Sequence, residues 1–124
     1  MRRLFFSLIF RKFAPTNIHL YRDRLMNYGF VKVATAIPAV KVANCEYNTA
    51  QMEKLIVKAC ECQAEIVCFP ELSVTAYTCQ DLFHQELLLE EAEMAFMKLV
   101  DATRSLNIVV IVGLPISFRG ALYN

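Results

Sequence analysis

The sequence predicts an α/β domain built on a parallel sheet, in the order β-α-β-α-β. Three observations carry this. Short apolar runs rich in β-branched residues, at 30–37, 66–69 and 108–112, alternate with two stretches of helical periodicity. The second and third runs are apolar without alternation, the pattern of parallel strands covered on both faces. A breaker closes each run: Pro38, Pro70 and Gly113. Strands joined through helices pair in parallel, with right-handed crossovers.

Each element has its own justification. Phe30 to Ile37 is the first strand, and residues 38–46 connect it to a helix. Asn48 is the expected N-cap of that helix. Gln51, three residues on, completes a capping box, and Tyr47 with Met52 forms a hydrophobic staple. Met52, Leu55, Ile56, Ala59 and Cys60 then line one face, with Glu53, Lys54, Lys58 and Glu61 on the other. The helix should end between Cys62 and Ala64. Ile66 to Phe69 is the second strand, and Leu72 to Phe83 a loop with a turn of helix at its end. A long helix is expected from Gln85 to Leu106, burying Leu88, Ala92, Ala95, Phe96, Leu99 and Leu106. Its acidic first half and basic end suit the helix dipole. Ile108 to Val112 is the third strand. Beyond Gly113-Leu114-Pro115, residues 116–118 are extended, Arg119-Gly120 is a turn, and residues 121–124 begin a further apolar element. Two helices cover only one face of such a sheet, so the pattern is that of an incomplete domain.

At 124 residues, 56% hydrophobic and 20% charged, the chain holds one domain at most and has no disorder signature. The net charge of +1 conceals a break: residues 1–25 carry +5 and the remainder −4. Leu4 to Phe10 is an apolar run between Arg2-Arg3 and Arg11-Lys12, without a small-residue cleavage site after it. An Arg-rich organellar presequence is one reading. A misplaced start is preferred, with the native protein beginning at Met26 and a domain over 26–124. Basic residues interleaved with bulky apolar ones do not make a nucleic-acid stripe, and no nucleic-acid partner is expected. The apolar runs are too short to cross a membrane. Five cysteines, an odd number, point to reduced thiols and a cytoplasmic protein.

Glu71 leads the candidates for chemistry. It follows a buried strand and Pro70, at the carboxyl end of the strand where open α/β sheets bind ligands. An apolar setting there would tune a carboxyl group for proton transfer near neutral pH. The plainer alternative is a carboxylate that caps a loop or pairs with a lysine. Among the cysteines, Cys68 sits on a core strand, and Cys79 lies nearer the rim without a histidine at recognisable spacing. Cys60 and Cys62 point to different faces of a helix, so no metal site is expected. His84 should lie near solvent at the start of the long helix, and His19 has no catalytic partner. No glycine-rich phosphate loop is present, so no ATP or dinucleotide site is expected.

Phe69-Pro70-Glu71-Leu72-Ser73-Val74-Thr75-Ala76-Tyr77 resembles the FPEL..TGY signature of the nitrilase, or carbon–nitrogen hydrolase, superfamily. Gly113-Leu114-Pro115 fits that family's GLP, and Leu122-Tyr123-Asn124 is similar to the start of its YNSA strand. A narrower likeness, Tyr77 to Phe83, is to the GY…DLF segment in the glutaminase domain of glutamine-dependent NAD synthetases. The resemblance implies the N-terminal portion of a four-layer αββα sandwich. It also implies a Glu-Lys-Cys triad, with Glu71 as general base, Lys at the oxyanion and Cys as nucleophile. The Lys and Cys are expected beyond the strand that begins at Leu122, so this chain alone should be inactive. By the same resemblance the substrate is glutamine or another small amide, the complete enzyme is a homo-oligomer, and ATP serves a separate synthetase domain. Another carbon–nitrogen hydrolase, such as an amidase or carbamoylase, is the first rival, and an inactive truncated module the second. Ala76 replaces the signature's glycine, which matters if the backbone there takes positive φ.

Overall fold

The computed structural model describes residues 30–124. Residues 1–25, His19 and Met26, on which the expectations of a leader and an internal start rest, lie outside the described residues. Strand β1 spans Val33–Thr35, helix α1 Cys45–Glu61, β2 Ile66–Cys68, a 3₁₀ segment Tyr77–His84, α2 Glu86–Ala102 and β3 Val109–Ile111. A hairpin follows, from β4 (Ile116–Phe118) and β5 (Ala121–Tyr123).

The sheet has the order β1-β2-β3 and is parallel throughout, as the β-α-β-α-β pattern requires. Its register gives the two faces different fates. Ala34, Val67 and Val110 are paired across the strands and all belong to the core under the helices. Val33, Ile66 and Val109 form the next row, on the opposite face, where Val33 is exposed and its partners are half-buried. Among the described residues, helices cover one face of the sheet, which matches the expectation drawn from helix number.

The core joins Met52 and Ile56 of α1, Val67 of β2, Val74 of the loop after it, and Leu88, Ala92, Ala95, Phe96 and Leu99 of α2. Burying Met52 or Ile56 contributes about 1.5–3 kcal/mol each. The apolar face expected of α2 is thus the buried one. Leu106 also packs on this core, although the helix stops earlier than expected, at Ala102. Thr103 Oγ1 donates back to the Leu99 carbonyl at 2.8 Å, and the Leu106 amide bonds to the Thr103 carbonyl. Side-chain back-bonding of this kind competes with helix continuation.

Helix α1 corrects the sequence expectation at its start. Its N-cap is Asn44, whose side chain accepts the Tyr47 N–H at 3.0 Å, so the helix begins one turn before Asn48. The capping box and staple are not used as expected. Tyr47 lies inside the first turn, with Lys41 Nζ 4.3 Å above its ring. Asn48 is fully buried and does different work. Its Oδ1 accepts the Lys41 N–H at 2.7 Å, and its Nδ2 donates to the carbonyls of Lys41 and Val74, both at 2.9 Å. One side chain therefore ties the β1–α1 connection to the loop after β2. At the other end Gln63 takes φ 61, the Ala64 N–H reaches the Ala59 carbonyl and the Gln63 N–H the Cys60 carbonyl. This is a Schellman motif with glutamine in the left-handed position.

The hairpin closes on Arg119 (φ 51) and Gly120 (φ 75), and Phe118 pairs with Ala121. Positive φ at both central residues is the requirement of a two-residue hairpin turn that matches strand twist.

Removing the Asn48 carboxamide would strand backbone groups of two loops. Asn48→Ala is expected to lower the unfolding free energy by roughly 2–4 kcal/mol, read from urea denaturation. A change below about 0.5 kcal/mol would mean that the loops find other partners.

Candidate functional site at the carboxyl end of strand β2

Beyond Cys68 the sheet continues for one more residue on each side. The Phe69 N–H donates to the Ile111 carbonyl and the Ala36 N–H to the Cys68 carbonyl, both at 3.0 Å. Pro70 has no N–H to continue the ladder, so the chain turns away there. Glu71 is the first residue after that turn, at the rim where the three parallel strands end.

The loop from Pro70 to Ala76 is a chain of tight turns. The Ser73 N–H donates to the Pro70 carbonyl at 3.3 Å and the Thr75 N–H to the Leu72 carbonyl at 3.2 Å. Leu72, Ser73, Val74, Thr75 and Ala76 are all buried, while Pro70 and Glu71 are exposed. The Asn48 bond to the Val74 carbonyl and the Ala43 N–H to the Thr75 carbonyl, at 2.9 Å each, fasten the loop from behind. A rigid buried loop thus holds one exposed carboxylate. Glu71 accepts a hydrogen bond from Asn124 Nδ2, which brings the end of β5 to the same rim. The segments that follow Glu71 bury themselves, while Glu71 itself is exposed. Ser73 Oγ and Asn124 Oδ1 are buried without a hydrogen-bond partner among the described residues.

The other candidates fall elsewhere. Cys79 is buried, its S–H directed at the Thr75 carbonyl at 3.0 Å and the Ala76 carbonyl at 3.4 Å, in the loop that follows Glu71. It lies in the kinked 3₁₀ segment, between Thr78 and Gln80, whose backbone is not helical. Cys68 is half-buried on β2, Cys60 half-buried and Cys62 exposed near the end of α1. His84 is exposed, two residues before α2. None of the five cysteines hydrogen-bonds Glu71. Among the described residues no three His, Cys, Asp or Glu side chains gather as metal ligands would.

Sequence reasoning missed Cys45. It is 3% exposed, and burial, then the Glu91 carboxylate and the Cys79 thiol, push its thiol up from 9.0 to about 11. It lines a groove of about 530 Å³, with Val42, Glu46, Glu91, Met94 and Lys98, between the start of α1 and the middle of α2. Glu71 is not part of that groove. The signal that could have found Cys45 is Asn44 just before it, a cap-competent residue one turn ahead of Asn48.

The match to known proteins agrees with this geometry. The family model for carbon-nitrogen hydrolase matches residues 32–124. The chain belongs to the carbon–nitrogen hydrolase family. It is 30% identical over 96 residues to the glutamine-dependent NAD(+) synthetase of Mycobacterium leprae, covering 77% of this chain and 14% of that protein. The enzyme of the same name from Aquifex aeolicus is 37% identical over 83 residues, 67% of this chain and 14% of that one. The crystal structure of a glutamine-dependent NAD(+) synthetase from Cytophaga hutchinsonii superposes with a TM-score of 0.70 at 29% identity, covering 76% of this chain and 16% of that chain. The hydrolase portion seen here thus has the nitrilase-like fold, of which it forms a part, and spans about a seventh of the length of these relatives.

Ala76 realises the backbone that its substitution for glycine put in question. It sits at φ 69, ψ 152, a region that glycine occupies at little cost. Ala76→Gly is therefore expected to stabilise the fold by about 1 kcal/mol, seen as a higher urea midpoint. An unchanged or lower midpoint would contradict the strain. Cys45 sets a pH dependence. The raised thiol keeps its proton in the folded chain above the value for the unfolded one, so its contribution is intact below about 9 and lost as pH rises toward about 11. Stability measured across that range should fall less steeply in Cys45→Ala than in the unsubstituted chain, and parallel curves would refute the assignment.

Proposed function

We propose that this chain supplies the general base of a glutamine-hydrolysing domain whose ammonia feeds an ATP-dependent ligase step, the amidation of nicotinic acid adenine dinucleotide. The observation that carries the reading is Glu71. It is exposed on a buried, multiply bonded loop at the strand rim, inside the segment matched to the carbon–nitrogen hydrolase family. The names of the relatives support glutamine as the amide.

In this reading Glu71 takes the proton of the family's cysteine thiol, and the thiolate attacks the carboxamide carbon. The carbon–nitrogen bond breaks, ammonia leaves with the proton that Glu71 returns, and a thioester remains. Glu71 then takes a proton from water, which attacks the thioester, and hands that proton to the departing sulfur, so that glutamate and the free thiol are released. A lysine balances the oxyanion in both steps. The Lys and Cys are assigned to the longer polypeptide, as are the ATP site and homo-oligomer contacts. Five free cysteines favour the cytoplasm as its location. Among the described residues no helix is long and apolar enough to cross a membrane.

The test is ammonia release by the polypeptide of the complete reading frame that carries this chain, with glutamine against other primary amides and N-carbamoyl compounds. Glutamine should give the highest kcat/KM, and Glu71→Gln should lower kcat by about 10²-fold or more. Preference for another amide would replace glutamine as substrate, and full activity in Glu71→Gln would remove Glu71 from the mechanism. Assayed alone, the 124-residue chain should release ammonia at background.

A further inference from the structure

The chain has two described glycines whose positions contrast. Gly120 has φ 75 and no atom within 4 Å of where a Cβ would stand, so backbone conformation is what it supplies. Gly113, which directly follows Val112 at the end of β3, is not among the positive-φ residues. A Cβ there would lie 2.8 Å from the Leu72 backbone nitrogen, 3.1 Å from Glu71 Cα and 3.4 Å from the Glu71 carbonyl carbon. The missing side chain of Gly113 is the space that the Glu71–Leu72 peptide occupies.

Neither side of this contact can retreat easily. Val112 and Leu114 flank Gly113 and are buried at 5% and 6% exposure. The Ile111 carbonyl is bonded to the Phe69 N–H, two residues before Glu71. On the loop side Leu72 is buried and holds φ 55, a left-handed conformation that costs a leucine about 1–2 kcal/mol. That conformation makes the corner at which Glu71 leaves the buried loop. Close packing transmits displacement, because interiors lack free volume to absorb it.

We propose that Gly113 is a positioning residue for Glu71: the end of β3 sets the place of the carboxylate by direct backbone contact, and any side chain at 113 moves it. The positional part stands independently of catalysis, and the kinetic part rests on Glu71 as general base.

Position is read by NMR of the 124-residue chain, from the side-chain amide of Asn124, whose Nδ2 donates to Glu71. Glu71→Ala, which leaves no side-chain acceptor there, locates the signal of the broken pair. Gly113→Ala should move the Asn124 signal most of the way there, with the α1 amide signals in place. An unmoved Asn124 signal overturns the proposal. If Gly113→Ala does not fold, the Gly113→Ala/Leu72→Gly double variant, whose corner is free of left-handed strain, takes its place under the same criterion. Function is read in the polypeptide of the complete reading frame. Gly113→Ala should lower kcat for amide hydrolysis about 10- to 100-fold with KM within about twofold, since misplacement near 1 Å costs on that scale. In a Glu71→Gln background the same substitution should change kcat less than about twofold. An equal loss in both backgrounds overturns action through Glu71. If Glu71→Gln alone leaves kcat intact, the general-base reading fails while the NMR result still decides the positional claim.

Discussion

When helix α1 docks on the sheet, backbone groups of two loops are withdrawn from water, and the Asn48 carboxamide replaces the solvent they lose. It satisfies both the N–H and the carbonyl of Lys41 and the carbonyl of Val74, from a side chain with no exposed surface. An amide is the side chain that can donate and accept at once from one planar group. The connection after β1 and the loop after β2 consequently behave as one body. The Ala43–Thr75 backbone bond joins the same two segments. An unpaired buried group costs far more than a paired one contributes, so the clamp constrains geometry as well as stability.

On that base the rim is built with strain. Leu72, Ala76 and Gln80 all take positive φ within nine residues of chain, and none is glycine. Conformations of this sort persist where surrounding structure over-determines them, and such clusters accompany functional sites. Here the surroundings are identifiable: the Asn48 clamp, the buried Thr75 and Cys79 bonded to neighbouring backbone, and the end of β3 pressed against the Glu71–Leu72 peptide. The result is an exposed carboxylate whose backbone has little freedom.

The parallel register adds a second consequence. Because alternate residues face opposite sides, one row of the sheet enters the helical core while the next, from Val33 through Ile66 to Val109, faces the other way. The residues of that second row are as apolar as those of the first. Both faces were built to be covered, which accords with a chain that superposes on about a sixth of a solved relative.

Much of this was legible in the residues. The alternation of strands and helices, the buried face of α2 and the turn at Arg119-Gly120 follow from periodicity and breakers, which act over a few residues and are written locally. The place of Glu71 was legible because a proline after an apolar run marks the end of a strand. The family was legible for the same reason, its signature being contiguous in the chain. What stayed hidden is long-range. Asn44 and Asn48 are equally good caps by local rules, and only the approach of Lys41 and Val74 decides that Asn48 serves as a clamp. The burial of Cys79 depends on the loop after β2 folding over it, and that of Cys45 on α2 packing beside it. The sequence by itself determined which segments are strand or helix and which carboxylate stands at the strand end, since those depend on steric and hydrophobic patterns of near neighbours. The tertiary structure alone decided what holds that carboxylate in place, because a carboxamide 23 residues before it and a glycine 42 residues after it meet it only when the sheet has formed.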